Sequence, residues 1–384
     1  MDIENLTIRD MQSKLVTKEI SALELTDEYI KKYGGSLVTV CADQARAAAQ
    51  QAQEVIDSGK ASSSPLCGIP IAVSDNICTK DTKTACGSNM LQNFIPPYNA
   101  HVCDRLIAQN AVIIGKSAVG EFGMSRGGIS SEATIGDPAA GEAAVTLIPT
   151  YGRVSRFGLA AFASSFDRIG VKAKNASDCA VLLEAIAGQD SRDVMTKRPE
   201  NQSAIFADTA GNATGLKIAL MNGNDKTNEA AALFEQQGAV SDEYTIDIDK
   251  FSHSAYYIIS SAELSSNMSR YDGIKFGTRA KEDGSFEKLV KASRTQGFSY
   301  ELKKRILLGN FVLSNDNIGD YFYKAMAIRQ QLKEEYTKLF EKYDLILTSS
   351  DMSAKLAGLP IIKINDIYVI GNYWEENKLL TINC

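Results

Sequence analysis

The chain has 384 residues, 44% of them hydrophobic, and a formal net charge of -6. That length is ample for one large core, or for a large domain with a smaller one. The acidic balance argues against nonspecific nucleic-acid binding by this chain alone, so no direct nucleic-acid contact is expected. No apolar run approaches a bilayer span, and Met1-Asp2-Ile3-Glu4-Asn5 has neither a basic region nor an apolar core; no membrane association and a cytoplasmic location are expected.

In chain order, Ser21-Ala22-Leu23-Glu24 reads as a capping box. It opens a helix whose Ala22, Leu25 and Tyr29 share one face and which Gly34-Gly35 ends. Gln44 to Ser58 is rich in Ala, Gln and Glu and predicts a further helix. A Ser/Pro loop from Ser62 to Pro65 leads into a strand at Ile69 to Val73. Ala176 to Ala187 predicts a helix with Leu182, Leu183 and Ile186 inward. Leu216 to Met221 reads as a strand, followed by a helix from Glu229 to Gln237 that Gly238 stops; this pairing indicates α/β architecture. After Gly319, the apolar residues Phe322, Ala325, Ile328, Leu332, Tyr336 and Leu339 keep helical spacing up to Tyr343. A short buried strand follows at Asp344 to Thr348, and Leu356 to Asn372 is expected to supply the last strands. One compact α/β domain over residues 1–384 is expected, with 216–309 as a semi-independent lobe.

Seven cysteines without C-x-x-C spacing suit reduced thiols. With only His101 and His253, a zinc site is not expected. His101-x-Cys103 beside Cys78 and Cys86 has the residue types of a cysteine nucleophile, against the commoner use of cysteine as a small buried hydrophobe. Neither a Walker-type loop nor a dinucleotide fingerprint is present, and no cofactor is expected.

The most informative run is Gly68-Ile69-Pro70-Ile71-Ala72-Val73-Ser74-Asp75-Asn76-Ile77-Cys78-Thr79-Lys80. It resembles the start of the catalytic core in amidase-signature enzymes. Downstream, Ala111-Val112-Ile113-Ile114-Gly115-Lys116, Glu121-Phe122, Pro149 to Arg156, Phe162 to Gly170, Ser260 to Asn267, Arg270-Tyr271-Asp272-Gly273 and Lys304 to Gly309 match the same family. The later runs are similar to the A-type component of the tRNA-dependent amidotransferases. The resemblance implies a large mixed sheet wrapped by helices, here trimmed around the active site.

The family places its catalytic lysine where this chain has Ser74. A hydroxyl cannot act as the terminal proton acceptor that a neutral amine can. The family's Gly/Ser-rich stretch, which holds the relay serine and then the nucleophile with its oxyanion hole, falls between Glu121-Phe122 and Pro149. Here Ala139-Ala140-Gly141-Glu142-Ala143 resembles the segment after the relay serine, and the nucleophile element has no counterpart. Gly127-Gly128-Ile129-Ser130-Ser131 is the candidate remnant of the relay, or an ordinary surface turn. Such groups act as a unit, so losing one costs about as much as losing all. Lys80 and Lys83 lie nearby in a polar loop, where a solvated amine stays protonated.

By the same resemblance, Arg305 is the residue that grips a substrate carboxylate and Tyr271 borders that pocket; a brace for its own helix is an equal use of Arg305. Asp351 is the nearby candidate for holding an amino group. The leading expectation is a noncatalytic paralogue of the A-type component, retained for binding or as a scaffold. Its implied partners are B-like and C-like subunits, with a small carboxylate or amino acid as ligand, in an oligomer or hetero-complex. An enzyme with a rebuilt active site and an inactive relic are the rivals.

Overall fold

The computed structural model describes residues 3–61, 64–124, 133–141, 144–197, 213–221, 223–281 and 284–380. The N-terminal helices α1 (Ile8–Val16) and α2 (Ala22–Tyr33) each begin with a capping box, Thr7 with Asp10 and Ser21 with Glu24. Such boxes satisfy two of the N–H groups that a helix start leaves without partners. Ala22, Leu25 and Tyr29 are buried, as their spacing predicts. There follow β1 (Leu37–Val40), α3 (Ala42–Asp57), the wholly buried β2 (Pro70–Ser74), α4 (His101–Ala108) and β3 (Val112–Ser117).

The middle of the chain supplies β4 (Ala133–Gly136), β5 (Val145–Ile148), β6 (Ile169–Ala173) and α5 (Ala176–Ile186). Next come β7 (Lys217–Met221), α6 (Asp225–Gln236) and β8 (Val240–Glu243). Helix α6 starts four residues before the expected Glu229, because Asn224 and Thr227 form a further capping box. The helices α7 (Ser252–Met268), α8 (Phe286–Gly297) and α9 (Tyr300–Val312) run in succession, and a π-helical turn at Gly319–Tyr323 opens α10 (Lys324–Leu339). The chain continues with β9 (Leu345–Thr348), α11 (Met352–Ala357), β10 (Ile361–Ile364), β11 (Ile367–Gly371) and α12 (Glu376–Leu380). Leu356 and Ala357, expected to begin a strand, instead close α11: Gly358 adopts φ +82°, and its N–H donates to the Ala354 carbonyl, a left-handed helix stop.

Among the described residues, eleven strands form one mixed sheet in the order β1-β3-β2-β4-β6-β5-β10-β11-β9-β7-β8. Strand alternation divides its side chains between two cores. Ile71, Val73, Ile135, Leu147, Val171, Leu347 and Ile362 face a cluster shared with α1 to α5. Ala219, Met221, Ile346, Ile361 and Ile370 face a second cluster shared with α7, α9, α10 and α11. The expected lobe contributes to both: β7 and β8 extend the common sheet through β9, and α7 to α9 follow them in the chain.

The tightest helix contact is α7 on α9. Gly309 lies so close that a Cβ there would sit 2.1 Å from the Ser261 carbonyl oxygen. The serines on α7 permit this approach by turning inward on their own helix: Ser260 and Ser261 donate to Tyr256 O and Tyr257 O at 2.6 Å. Their hydroxyls therefore present little bulk and no orphan donor to α9.

Candidate functional site

Ser74 ends β2, and parallel pairing sets it opposite Ser117 of β3. Its Oγ accepts the Thr134 backbone N–H at 2.9 Å and lies 3.4 Å from Thr134 Oγ1. On the same face of the sheet, Ala72, Ser117, Thr134, Gly136 and Lys172 line a cleft of about 430 Å³. That face is the one that α7, α9, α10 and α11 cover farther along, over β9 to β11 and β7. The cleft therefore adjoins Ser74 on the face of the sheet opposite the first core.

Asp75 anchors the turn that follows. Its carboxylate accepts Ala85 N–H at 3.2 Å and Gly87 N–H at 3.5 Å, while its own N–H donates to Ser117 O. Burial pushes its pKa up, against the opposing charge of Lys116 and those two N–H groups. Gly87 must be glycine: with φ +61°, a Cβ would meet the Val119 carbonyl oxygen at 2.5 Å.

Lys116 is the one lysine among the described residues that is completely buried. It pairs with Val73 and so points to the face opposite Ser74, where its ammonium donates to Ile77 O and, at 3.0 Å, to Thr79 Oγ1. Burial draws its pKa down, partly offset by Cys103 and Asp75. It braces the 77–79 turn and does not reach the cleft. Lys80 and Lys83 are exposed.

The cysteine alternative finds no geometry. Cys103 Sγ lies 3.6 Å from Thr79 Oγ1 and Cys78 Sγ lies 3.9 Å from the Tyr98 hydroxyl. Burial raises all three thiols near this turn, Cys103 to about 11. His101 Nδ1 instead faces Arg192 Nη2 at 2.9 Å and Asp190 at 3.3 Å. Gly127 to Ser131 lies outside the described residues.

Arg305 of α9 is 1% exposed and sits against α7. One guanidinium nitrogen donates to Ser260 Oγ at 2.6 Å, and the group lies 3.8 Å over the Tyr257 ring. Nε and Nη1 are buried without a hydrogen-bond partner among the described residues. A buried cation with two unmet donors costs stability unless an anion meets it. Tyr271 is placed elsewhere, edge-on to Phe122 at 4.8 Å and to Phe276 at 5.3 Å. Arg305 packs on Tyr257 and Phe162 rather than on Tyr271. Asp351 stands at the N-terminus of α11, paired with Lys355 at 3.0 Å.

The cleft residues Ser117, Thr134 and Lys172 were not legible as a set. They come from three strands whose neighbours are distant in sequence, and the only signal was that each alternates with core residues. The uncompensated state of Arg305 likewise depends on packing that spacing does not reveal.

Comparison with known proteins gives this geometry its context. A family model described as Amidase matches residues 21–134 and 131–360. The A subunit of the glutamyl-tRNA(Gln) amidotransferase of Ruminiclostridium cellulolyticum is 38% identical, over 90% of this chain and 82% of the relative. Its counterpart in Caldanaerobacter subterraneus is 33% identical over 469 positions, covering 100% of this chain and 96% of the relative. Among solved structures, the peptide amidase from Stenotrophomonas maltophilia superposes with TM-score 0.77 at 20% identity, covering 98% of this chain and 95% of its own. The A subunit of the Thermotoga maritima glutamyl-tRNA(Gln) amidotransferase gives 0.69 at 24% identity, over 100% of this chain and 94% of its own. Sheet, helices and sequence agree, and the chain belongs to the amidase family, as a homologue of the amidotransferase A subunits.

Proposed function

We propose that this chain is a catalytically inactive, amidase-like paralogue of the glutamyl-tRNA(Gln) amidotransferase A subunit, which serves in the cytoplasm as a binding or scaffold component. The observation that carries this reading is Ser74, at the position where the resemblance puts the catalytic lysine, with its hydroxyl engaged by the Thr134 N–H. Two features of the comparisons support it. The alignment to the Caldanaerobacter relative is longer than this chain, so the chain carries gaps against it. The family match also breaks at residues 131–134, between Glu121-Phe122 and Pro149, where the family's nucleophile element belongs.

Arg305 supports retained binding. Its orphaned guanidinium donors suit a small carboxylate or amino acid, so ligand recognition outlives hydrolysis in this reading. Exposed apolar side chains support a partner: Tyr300 and Leu307 of α9 are 72% and 69% exposed, with Phe311 on the same helix. B-like and C-like subunits are the proposed partners, and residues 216–309 are proposed as a semi-independent lobe. The deciding experiment is co-expression with B-like and C-like subunits, followed by an ammonia assay on glutamine. A stable complex without ammonia release is expected; ammonia release abolished by Ser74→Ala would overturn the proposal.

Lys172 favours a second reading, an enzyme with a rebuilt site. Its side chain lines the cleft beside Ser117 and Thr134, so an amine and two hydroxyls share one face next to Ser74. Glutamine turnover that survives Ser74→Ala and disappears in Lys172→Ala would establish that reading instead.

A further inference from the structure

A second cavity, of about 420 Å³, opens where α10 passes the C-terminal end of α11 and the segment after β11. None of Ser74, Tyr271, Arg305 or Asp351 lines it. Three cations do. Arg329 is fixed, with Nε donating to Leu356 O at 2.8 Å, Nη1 to Ser165 Oγ at 2.7 Å and Nη2 to Ser165 O at 2.9 Å. Among the described residues, Lys333, one turn later on α10, takes part in no ion pair or side-chain hydrogen bond, and neither does Lys197 on the opposing segment. Among the described residues no carboxylate lines the cavity; Glu263 lies behind it, accepting the Ser165 N–H at 2.8 Å. Burial and the Arg329 charge both draw the Lys333 pKa down, which marks an ammonium without a counterion.

The wall is aromatic as well as basic. Tyr151 and Trp374 both line it. Trp374 is held at φ +67°, a left-handed conformation that bulky side chains rarely adopt. Its N–H donates to Thr150 Oγ1 at 2.9 Å, which helps fix the strained residue at the cavity edge. Strain of this kind concentrates at ligand clamps and persists only where the surroundings enforce it.

We propose that this cavity binds a small phosphate-bearing molecule with a planar ring, of the mononucleotide class. The phosphate would lie between Lys333, Lys197 and the exposed side of the Arg329 guanidinium, and the ring against Trp374 and Tyr151. Converging cations suit a multiply charged group, and a rigid aromatic wall suits a flat one. The volume lies within the range of small-molecule sites.

The test uses a property of the sequence: Trp374 is the chain's single tryptophan, so its fluorescence reports on this cavity alone. The full chain is titrated with AMP, with adenosine and with inorganic phosphate, and equilibrium dialysis with labelled AMP checks the fluorescence isotherm. Saturable binding of AMP is expected, with adenosine and phosphate each markedly weaker. Lys333→Ala should raise the AMP Kd about tenfold or more, the effect of removing one charged hydrogen bond. Because Lys333 holds no other group in place, the unliganded variant should keep its melting temperature. Arg305→Ala should leave AMP binding unchanged. No binding at millimolar AMP by either method, an unchanged Kd in Lys333→Ala, or adenosine or phosphate binding as tightly as AMP would each overturn the assignment.

Discussion

Ser74 and Thr134 are tied across the β2–β4 pair by a hydrogen bond from the Thr134 N–H to the Ser74 hydroxyl oxygen. The bond occupies the side chain that, in the proposed reading, stands in place of the catalytic amine, and it satisfies a backbone donor where β4 begins. Purified protein is therefore expected to release no ammonia from glutamine or asparagine above a heat-killed control. Ser74→Lys should remain inactive and should lose about 1–3 kcal/mol of stability, because the Thr134 donor loses its acceptor. Gained turnover in Ser74→Lys would show that the rest of the machinery is intact.

Arg305 is expected to behave differently with and without ligand. Replacing a buried, incompletely met cation by an apolar side chain of similar length often costs nothing. Arg305→Met should leave unliganded stability at pH 7 unchanged or raised by about 1 kcal/mol. The rise in melting temperature that glutamate or glutamine gives the parent protein should vanish in the variant. Differential scanning fluorimetry reads both effects, and a retained ligand shift would remove Arg305 from the binding site.

Asp193 sets an acid limb. Burial pushes its carboxyl up, but the Arg156 guanidinium and N–H groups of Arg156 and Met195 outweigh that and hold it at about 2. A folded-state value below the usual one of about 4 means that the native state binds fewer protons than the unfolded state. The stabilisation is fully present above pH 4 or so and fades as pH falls through about 2. Asp193→Asn should cost about 2 kcal/mol at pH 7 and flatten the loss of stability between about pH 4 and 2, measured by urea unfolding across pH.

The α7–α9 crossing is expected to reject even a methyl group. Alanine is the better helix former by about 1 kcal/mol, yet Gly309→Ala should destabilise by about 2–3 kcal/mol, since its Cβ would clash with a backbone carbonyl that cannot move aside. A stabilised variant would mean that the helices separate more easily than their packing implies.

Light scattering is expected to show a species larger than the 41.6 kDa of one chain, or one that becomes so on mixing with B-like and C-like subunits. Replacing Tyr300 and Leu307 by Ser should reduce that assembly with little change in the melting of the chain itself, because both side chains stand largely in solvent. A monomer that recovers no partner would favour the inactive relic.

Much of the frame was legible. A helix with a capping box, such as Ala22 to Tyr33, or with a periodic apolar face, such as Ala176 to Ile186, declares itself because cap and period are local signals. Boundaries set by a single residue were harder: Asn224 moved the start of α6, and Gly358 turned an expected strand into the end of α11. The candidate site was half legible. A motif could mark Ser74 and Arg305, but motifs do not record burial, and the unmet donors of Arg305 follow from the way α7 presses on α9. The basic cavity beside Trp374 has no sequence signature, because segments far apart in the chain assemble it.

The cysteines give the molecule a built-in clock for partial unfolding. Cys41, Cys67, Cys78, Cys86, Cys103 and Cys179 are all buried, and no cysteine occurs between residues 180 and 383. Cys86 belongs to the second core under α7 to α11, while Cys67, Cys103 and Cys179 belong to the first, so a thiol reagent reports the opening of either core at its own cysteines. Comparing the labelling rate of Cys86 with those of Cys67, Cys103 and Cys179 would separate the two cores in time, and would show whether the helices over the second core loosen before the first core opens.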